Sequence, residues 1–85
     1  MMLAWSEHAW ADYLYWQEID KKTLKRINIL IEEIQREPFV GIGDPEPLKH
    51  NWSGCWSRRI DREHRLIYKI ENAVLVVLQC RFHYS

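Results

Sequence analysis

Between Asp20 and Pro38 the apolar residues Leu24, Ile27, Leu30, Ile31 and Ile34 fall three and four apart, with Lys21, Lys22, Lys25, Arg26, Glu32, Glu33 and Arg36 between them. That spacing gives a helix one apolar stripe, which must be buried against something else. Asp20 suits the N-cap and Pro38 stops the helix. Upstream, Leu3-Ala4-Trp5 reads as a short strand. Ser6 followed by Glu7 opens an earlier helix running to about Gln17, with Trp10, Tyr13, Leu14 and Trp16 expected on its core side. Residues 38–54 hold all three Pro and all three Gly and show little periodicity, so they read as a long loop. Gly41 and Gly43 lack both a preceding strand and the full dinucleotide-binding fingerprint.

Beyond Gly54, three segments rich in β-branched and aromatic residues read as strands: 55–60, 64–70 and 73–82. Alternation assigns their faces. With three-residue connections at 61–63 and 71–73, position 60 pairs with 64, 59 with 65, 70 with 74 and 65 with 79. One face then collects Trp56, Ile60, Leu66, Tyr68, Ile70, Val74, Val76, Leu78, Cys80 and Phe82, ready to pack on the two helices. The other collects Arg59, Arg65, Lys69, Gln79, Arg81 and His83. Arg58 and His64 fall on the apolar side, and Ile67, Leu75 and Val77 on the basic one. Like charges across a ladder repel, so Arg59 opposite Arg65 invites an anion, or a carboxylate such as Glu46, between them.

At 85 residues the chain is a single domain, 1–85, and its 47% hydrophobic content excludes global disorder. Net charge is zero, yet residues 1–46 carry five Lys/Arg against nine Asp/Glu, while 47–85 carry seven against three. A basic face on an otherwise solvated body produces such polarity, as does a chance division of Glu to helices and Arg to strands. No apolar run reaches the roughly 20 residues that span a bilayer, and the N-terminus lacks a signal peptide's regions, so a cytoplasmic protein is expected. Cys55 and Cys80 are expected to be buried thiols; the His residues have no zinc-ligand spacing, and no Ser-His-Asp set or Cys nucleophile stands out.

These residues suit RNA cleavage by attack of a 2′-hydroxyl on the adjacent phosphate, without a metal or other cofactor. A base must take the hydroxyl proton, cations must stabilise the phosphorane, and an acid must protonate the leaving 5′-oxygen. Glu46, stiffened between Pro45 and Pro47, is a candidate base. Arg65, Arg59, Arg81 and Lys49 are candidate phosphate ligands, His83 a candidate acid, and Tyr84 a residue that stacks on a base or helps place the proton. The same face also suits a non-catalytic RNA- or ribosome-binding inhibitor, or a module that grips an acidic peptide.

The strings Trp5-Ser6-Glu7, Tyr13-Leu14-Tyr15-Trp16-Gln17, Pro45-Glu46-Pro47-Leu48-Lys49-His50-Asn51, Trp56-Ser57-Arg58-Arg59-Ile60, Glu63-His64-Arg65-Leu66 and Cys80-Arg81-Phe82-His83-Tyr84 resemble the YoeB (Txe/YoeB) toxins of the RelE superfamily, in the same order along nearly the whole chain. The resemblance implies a RelE-like α+β fold, with two N-terminal helices packed on one face of an antiparallel sheet. It implies a toxin that cleaves messenger RNA in the ribosomal A site, with Glu46 as base, His83 as acid and Arg65 as the cation at the transition state. Lys49, Arg59 and Tyr84 would place the substrate. It also implies inhibition by a YefM-like antitoxin, operator DNA binding only through the complex with that antitoxin, and a homodimer. Cys55 departs from the aromatic residue expected there, and Ser85 extends past the expected terminal tyrosine.

Overall fold

A computed structural model describes residues 1–83 of the chain. Ser6 caps the first helix, its Oγ accepting from the Ala9 amide, and Asp20 caps the second by accepting from the amides of Lys22 and Thr23. The elements are β1 (Met2–Trp5), α1 (Glu7–Ile19), α2 (Lys21–Arg36), β2 (Glu46–Pro47), a 3-10 turn (His50–Trp52), β3 (Trp56–Arg59), β4 (Arg65–Glu71) and β5 (Val74–Gln79). They form one five-stranded sheet in the order β1-β5-β4-β3-β2. The α+β layering follows the expectation, with one refinement. β2 to β5 pair antiparallel, but β1 lies parallel to β5, from which α1, α2 and the strands β2 to β4 separate it along the chain. Among the described residues no helix is long and apolar enough to cross a membrane.

The core lies between helices and sheet: Ile27, Leu30, Ile31 and Ile34 of α2 meet Leu66, Tyr68, Leu75, Val77 and Cys80. From α1 the buried residues are Ala9, Asp12 and Trp16. Trp10 and Leu14, expected to face the core, are exposed; Trp10 instead stacks on Tyr13 and meets the Trp5 edge in an outer aromatic cluster.

The first hairpin has the expected register, Arg59 opposite Arg65. The second differs. Its turn has two residues, Asn72 and Ala73, both at positive φ (52° and 62°), and pairs Glu71 with Val74. Such a turn matches strand twist but ordinarily signals itself by Gly; Ala73 hides it. The shift by one residue brings Leu75 and Val77 into the core and turns Val74, Val76 and Leu78 outward. A bulge at Ile67/Tyr68 then resets the parity, so that Gln79 returns to the outer face as expected, but opposite Ile67 and not opposite Arg65, whose amide instead meets the Phe82 carbonyl.

The 38–54 loop is not featureless. Arg58, on the core side of β3 and wholly buried, donates from Nη1 to the Ile42 carbonyl (3.1 Å), from Nη2 to those of Glu37 (2.6 Å) and Val40 (2.9 Å), and from Nε to the Tyr68 hydroxyl (3.3 Å). Tyr68 in turn donates to the Pro38 carbonyl. Among the described residues no carboxylate pairs with this cation; backbone dipoles solvate it. Gly43 passes so close that a Cβ would sit 3.0 Å from Leu30, and its φ of +81° favours glycine.

Replacing Arg58 with Leu strips three loop carbonyls of their donor at once and is expected to cost about 3 kcal/mol or more, read as a fall in the urea midpoint. The cysteines give a second test. Burial, with Asp12 adding to it, pushes the Cys80 thiol up to about 12. Cys55, expected buried, is only half-buried, its thiol raised by partial burial and eased by Lys69. Iodoacetamide at pH 8 should therefore label Cys55 in the native protein and Cys80 only after unfolding, as counted by intact mass.

Candidate active site

The outer face of the sheet carries three of the candidate residues, Glu46, Arg59 and Arg65. Glu46 and Pro47 form the short edge strand β2, with Glu46 opposite Ser57 of β3 and Pro47 opposite Trp56. Proline is tolerated there because an edge strand leaves one side unpaired. The Arg59 amide donates to the Gly43 carbonyl at 2.7 Å, fastening the approach to β2.

Arg65 opens β4. Its Nη1 lies 3.7 Å from Glu46 Oε1, with the arginine side chain 14% exposed and the glutamate 48%. That distance makes an ion pair but not a hydrogen bond. Nη1 is buried and finds no hydrogen-bond partner among the described residues. A buried donor left open calls for a reason, and a binding site for an anion is one. Arg59, directly across the ladder, is exposed on the same face and adds a second cation. Glu46, Pro47, Leu48, Lys49 and His50 line one shallow depression of about 310 Å³, so Lys49 borders the same hollow as Glu46.

The C-terminal segment approaches Arg65 from the side away from β3. α1 holds it at Cys80, whose amide donates to Asp12 Oδ2 (3.0 Å) and whose carbonyl accepts from Trp16 Nε1 (2.8 Å). Two residues on, the Phe82 carbonyl accepts from the Arg65 amide (3.0 Å). His83 follows at once, exposed, its carbonyl accepting from Gln79 Nε2 (3.4 Å). Glu46 and the His83 segment thus flank Arg65 on opposite sides.

Arg81 is a correction. Expected on the basic face, its guanidinium lies over the Tyr15 ring of α1, 3.5 Å from the centroid, and 4.4 Å from that of Phe82. Cation–π attraction to two rings draws it to the helix side. Tyr84 lies outside the described residues. Sequence reasoning missed Asp12, Trp16, Arg58 and His64, which hold the site's backbone, and Ser57, whose buried hydroxyl has no partner among the described residues although it stands opposite Glu46. The available signal was a polar residue on an apolar face, visible for Arg58 and His64. Among the described residues no three His, Cys, Asp or Glu side chains gather as a metal site.

The profile of a family described as the YoeB-like toxin of bacterial type II toxin–antitoxin systems matches residues 5–84. Toxin YoeB of Escherichia coli strain K12 is 58% identical over 84 residues, 99% of this chain and 100% of that one. A YoeB/ParE toxin from Agrobacterium tumefaciens has a solved structure with a TM-score of 0.97 and 48% identity, covering 99% of this chain and 100% of that chain. Two Staphylococcus aureus structures, a heterotetrameric YoeB–YefM toxin–antitoxin complex and a YoeB dimer, give TM-scores of 0.91 and 0.92, each at 42% identity over 99% of this chain and 98% of theirs. With its fold and nearly its whole length matched, the chain belongs to the YoeB family of toxins of bacterial type II toxin–antitoxin systems.

Proposed function

We propose that the chain is an endoribonuclease that cuts messenger RNA in the ribosomal A site and so arrests translation. The observation that carries this reading is the buried, unsatisfied donor of Arg65 beside Glu46, with the His83 segment on its other flank. Glu46 takes the proton from a ribose 2′-hydroxyl, and that oxygen attacks the neighbouring phosphorus. Arg65 turns its free N–H to a non-bridging oxygen as negative charge builds there, the stage at which a fixed donor contributes most. His83 gives a proton to the departing 5′-oxygen. The products are a 2′,3′-cyclic phosphate and a new 5′-hydroxyl end. Lys49 and Arg59 hold flanking phosphates, and Tyr84 places the adjoining base. A base and an acid on opposite sides of the cation suit displacement in line.

In the same reading a YefM-like antitoxin inhibits the toxin by laying a segment over this basic face, as the family's solved complex with YefM suggests by analogy. Operator DNA is bound only through that complex, and the free toxin pairs as a homodimer, as the S. aureus relative does.

Purified wild type and the variants Glu46→Gln, Arg65→Ala and His83→Gln test the chemistry on programmed ribosomes. Each variant should cut roughly 10²–10⁴-fold more slowly than wild type while still associating with the ribosome. Wild type should leave 5′-hydroxyl ends in the A-site codon. Salt-sensitive binding with no scission would replace this reading by that of a non-catalytic inhibitor.

A further inference from the structure

We infer that His64 is a positioning residue that sets the direction in which His83 leaves the sheet; this rests on the proposed role of His83. His64 lies between β3 and β4, faces the helices and is 9% exposed. Its backbone is fixed: the His64 amide donates to Asp61 Oδ1 (2.7 Å), and its carbonyl accepts from the Ile60 amide (3.0 Å). Its ring stands edge-on to Trp16, with centroids 4.8 Å apart at 81°. Nδ1 accepts from the Phe82 amide at 2.6 Å. Acceptance at Nδ1 puts the proton of the neutral imidazole on Nε2, which lies 3.6 Å from Glu63 Oε1.

Two consecutive residues therefore grip one peptide unit pair. His64 takes the N–H of Phe82, and the amide of Arg65 takes its carbonyl. Between these bonds Phe82 adopts φ = 64°, a left-handed conformation that a bulky L residue holds only under constraint. The φ of residue 82 decides where residue 83 goes. Without the acceptor, the Phe82 N–H loses its partner, and the bonds that remain, from the Arg65 amide to the Phe82 carbonyl and from Gln79 Nε2 to the carbonyls of Arg81 and His83, do not fix φ at residue 82. Relaxation to negative φ swings His83 away from the Arg65 flank. Asp12 and Trp16 fix the same segment two residues earlier, so the movement is confined to residues 81 onward.

The test compares His64→Phe, which keeps a ring against Trp16 but has no acceptor, with His64→Asn, whose Oδ1 stands near the place of Nδ1. In single-turnover cleavage on programmed ribosomes, His64→Phe should lower the rate at saturating toxin about 30-fold and leave the half-saturating concentration within about twofold. His64→Asn should return to within about fivefold of wild type. The double variant His64→Phe/His83→Gln should be no slower than His83→Gln alone, because both changes remove one function. An RNA-independent readout accompanies these. Nitrogen-15 spectra at pH 7.5 should show an unprotonated Nδ1 at His64, and the Phe82 amide should exchange slowly in wild type and fast in His64→Phe. Unchanged cleavage by His64→Phe, additive loss in the double variant, or an Asn variant as slow as Phe would overturn the inference. So would fast exchange at Phe82 in wild type. A wild type that cuts no RNA removes the proposed function and His64's catalytic consequence with it, whereas slow Phe82 exchange in the same sample still sustains the latch.

Discussion

A buried guanidinium without a carboxylate partner is the constraint from which the rest of this structure follows. Arg58 is fully enclosed, and its charge is met by the carbonyls of Glu37, Val40 and Ile42 and the hydroxyl of Tyr68. Such bonds to a charged donor are each stronger than a neutral pair, and the loop cannot leave without abandoning a cation in the core. The segment that follows Pro38 has no extended secondary structure of its own until Glu46, so its shape is imposed from within. That shape delivers Gly43 to the Arg59 amide and Glu46 to the edge of β3.

The C-terminal segment is treated in the same way by different residues. Asp12 and Trp16, four apart on α1, take the amide and the carbonyl of Cys80, and His64 and Arg65 take those of Phe82. Strand alternation divides the work between neighbours. Arg58 and His64 turn inward and hold the backbone on either side; Arg59 and Arg65 turn to the outer face of the sheet. A site built from a loop and a tail thereby acquires the fixed geometry that catalysis by positioned groups requires.

Much of the frame was legible in the residues. The spacing of Leu24 to Ile34, the caps at Ser6 and Asp20 and the stop at Pro38 act locally, and local signals survive in a sequence. The first hairpin was legible because one register alone separates Trp56, Ile60 and Leu66 from Arg59 and Arg65. The second was not. Ala73 occupies a left-handed position usually given to glycine, and the bulge beside Ile67 hides the consequence by restoring parity at Gln79. Glu46 beside Arg65 could be proposed from charge and spacing, but Arg81 shows the limit of parity: two aromatic rings outside the strand pattern decide where its guanidinium rests. Arg58 and His64 were visible as exceptions on an apolar face, and their partners, backbone atoms of the loop and the tail together with the Tyr68 hydroxyl, were not.

The central claim is that Glu46 and His83 do opposite proton work on one phosphodiester held at Arg65. RNA whose scissile 5′-oxygen is replaced by sulfur tests it most directly, because a thiolate leaves without needing a proton. On that substrate His83→Gln should cut at close to the wild-type rate, while Glu46→Gln remains slow. Equal slowness of both variants, or recovery of Glu46→Gln in place of His83→Gln, would contradict the account.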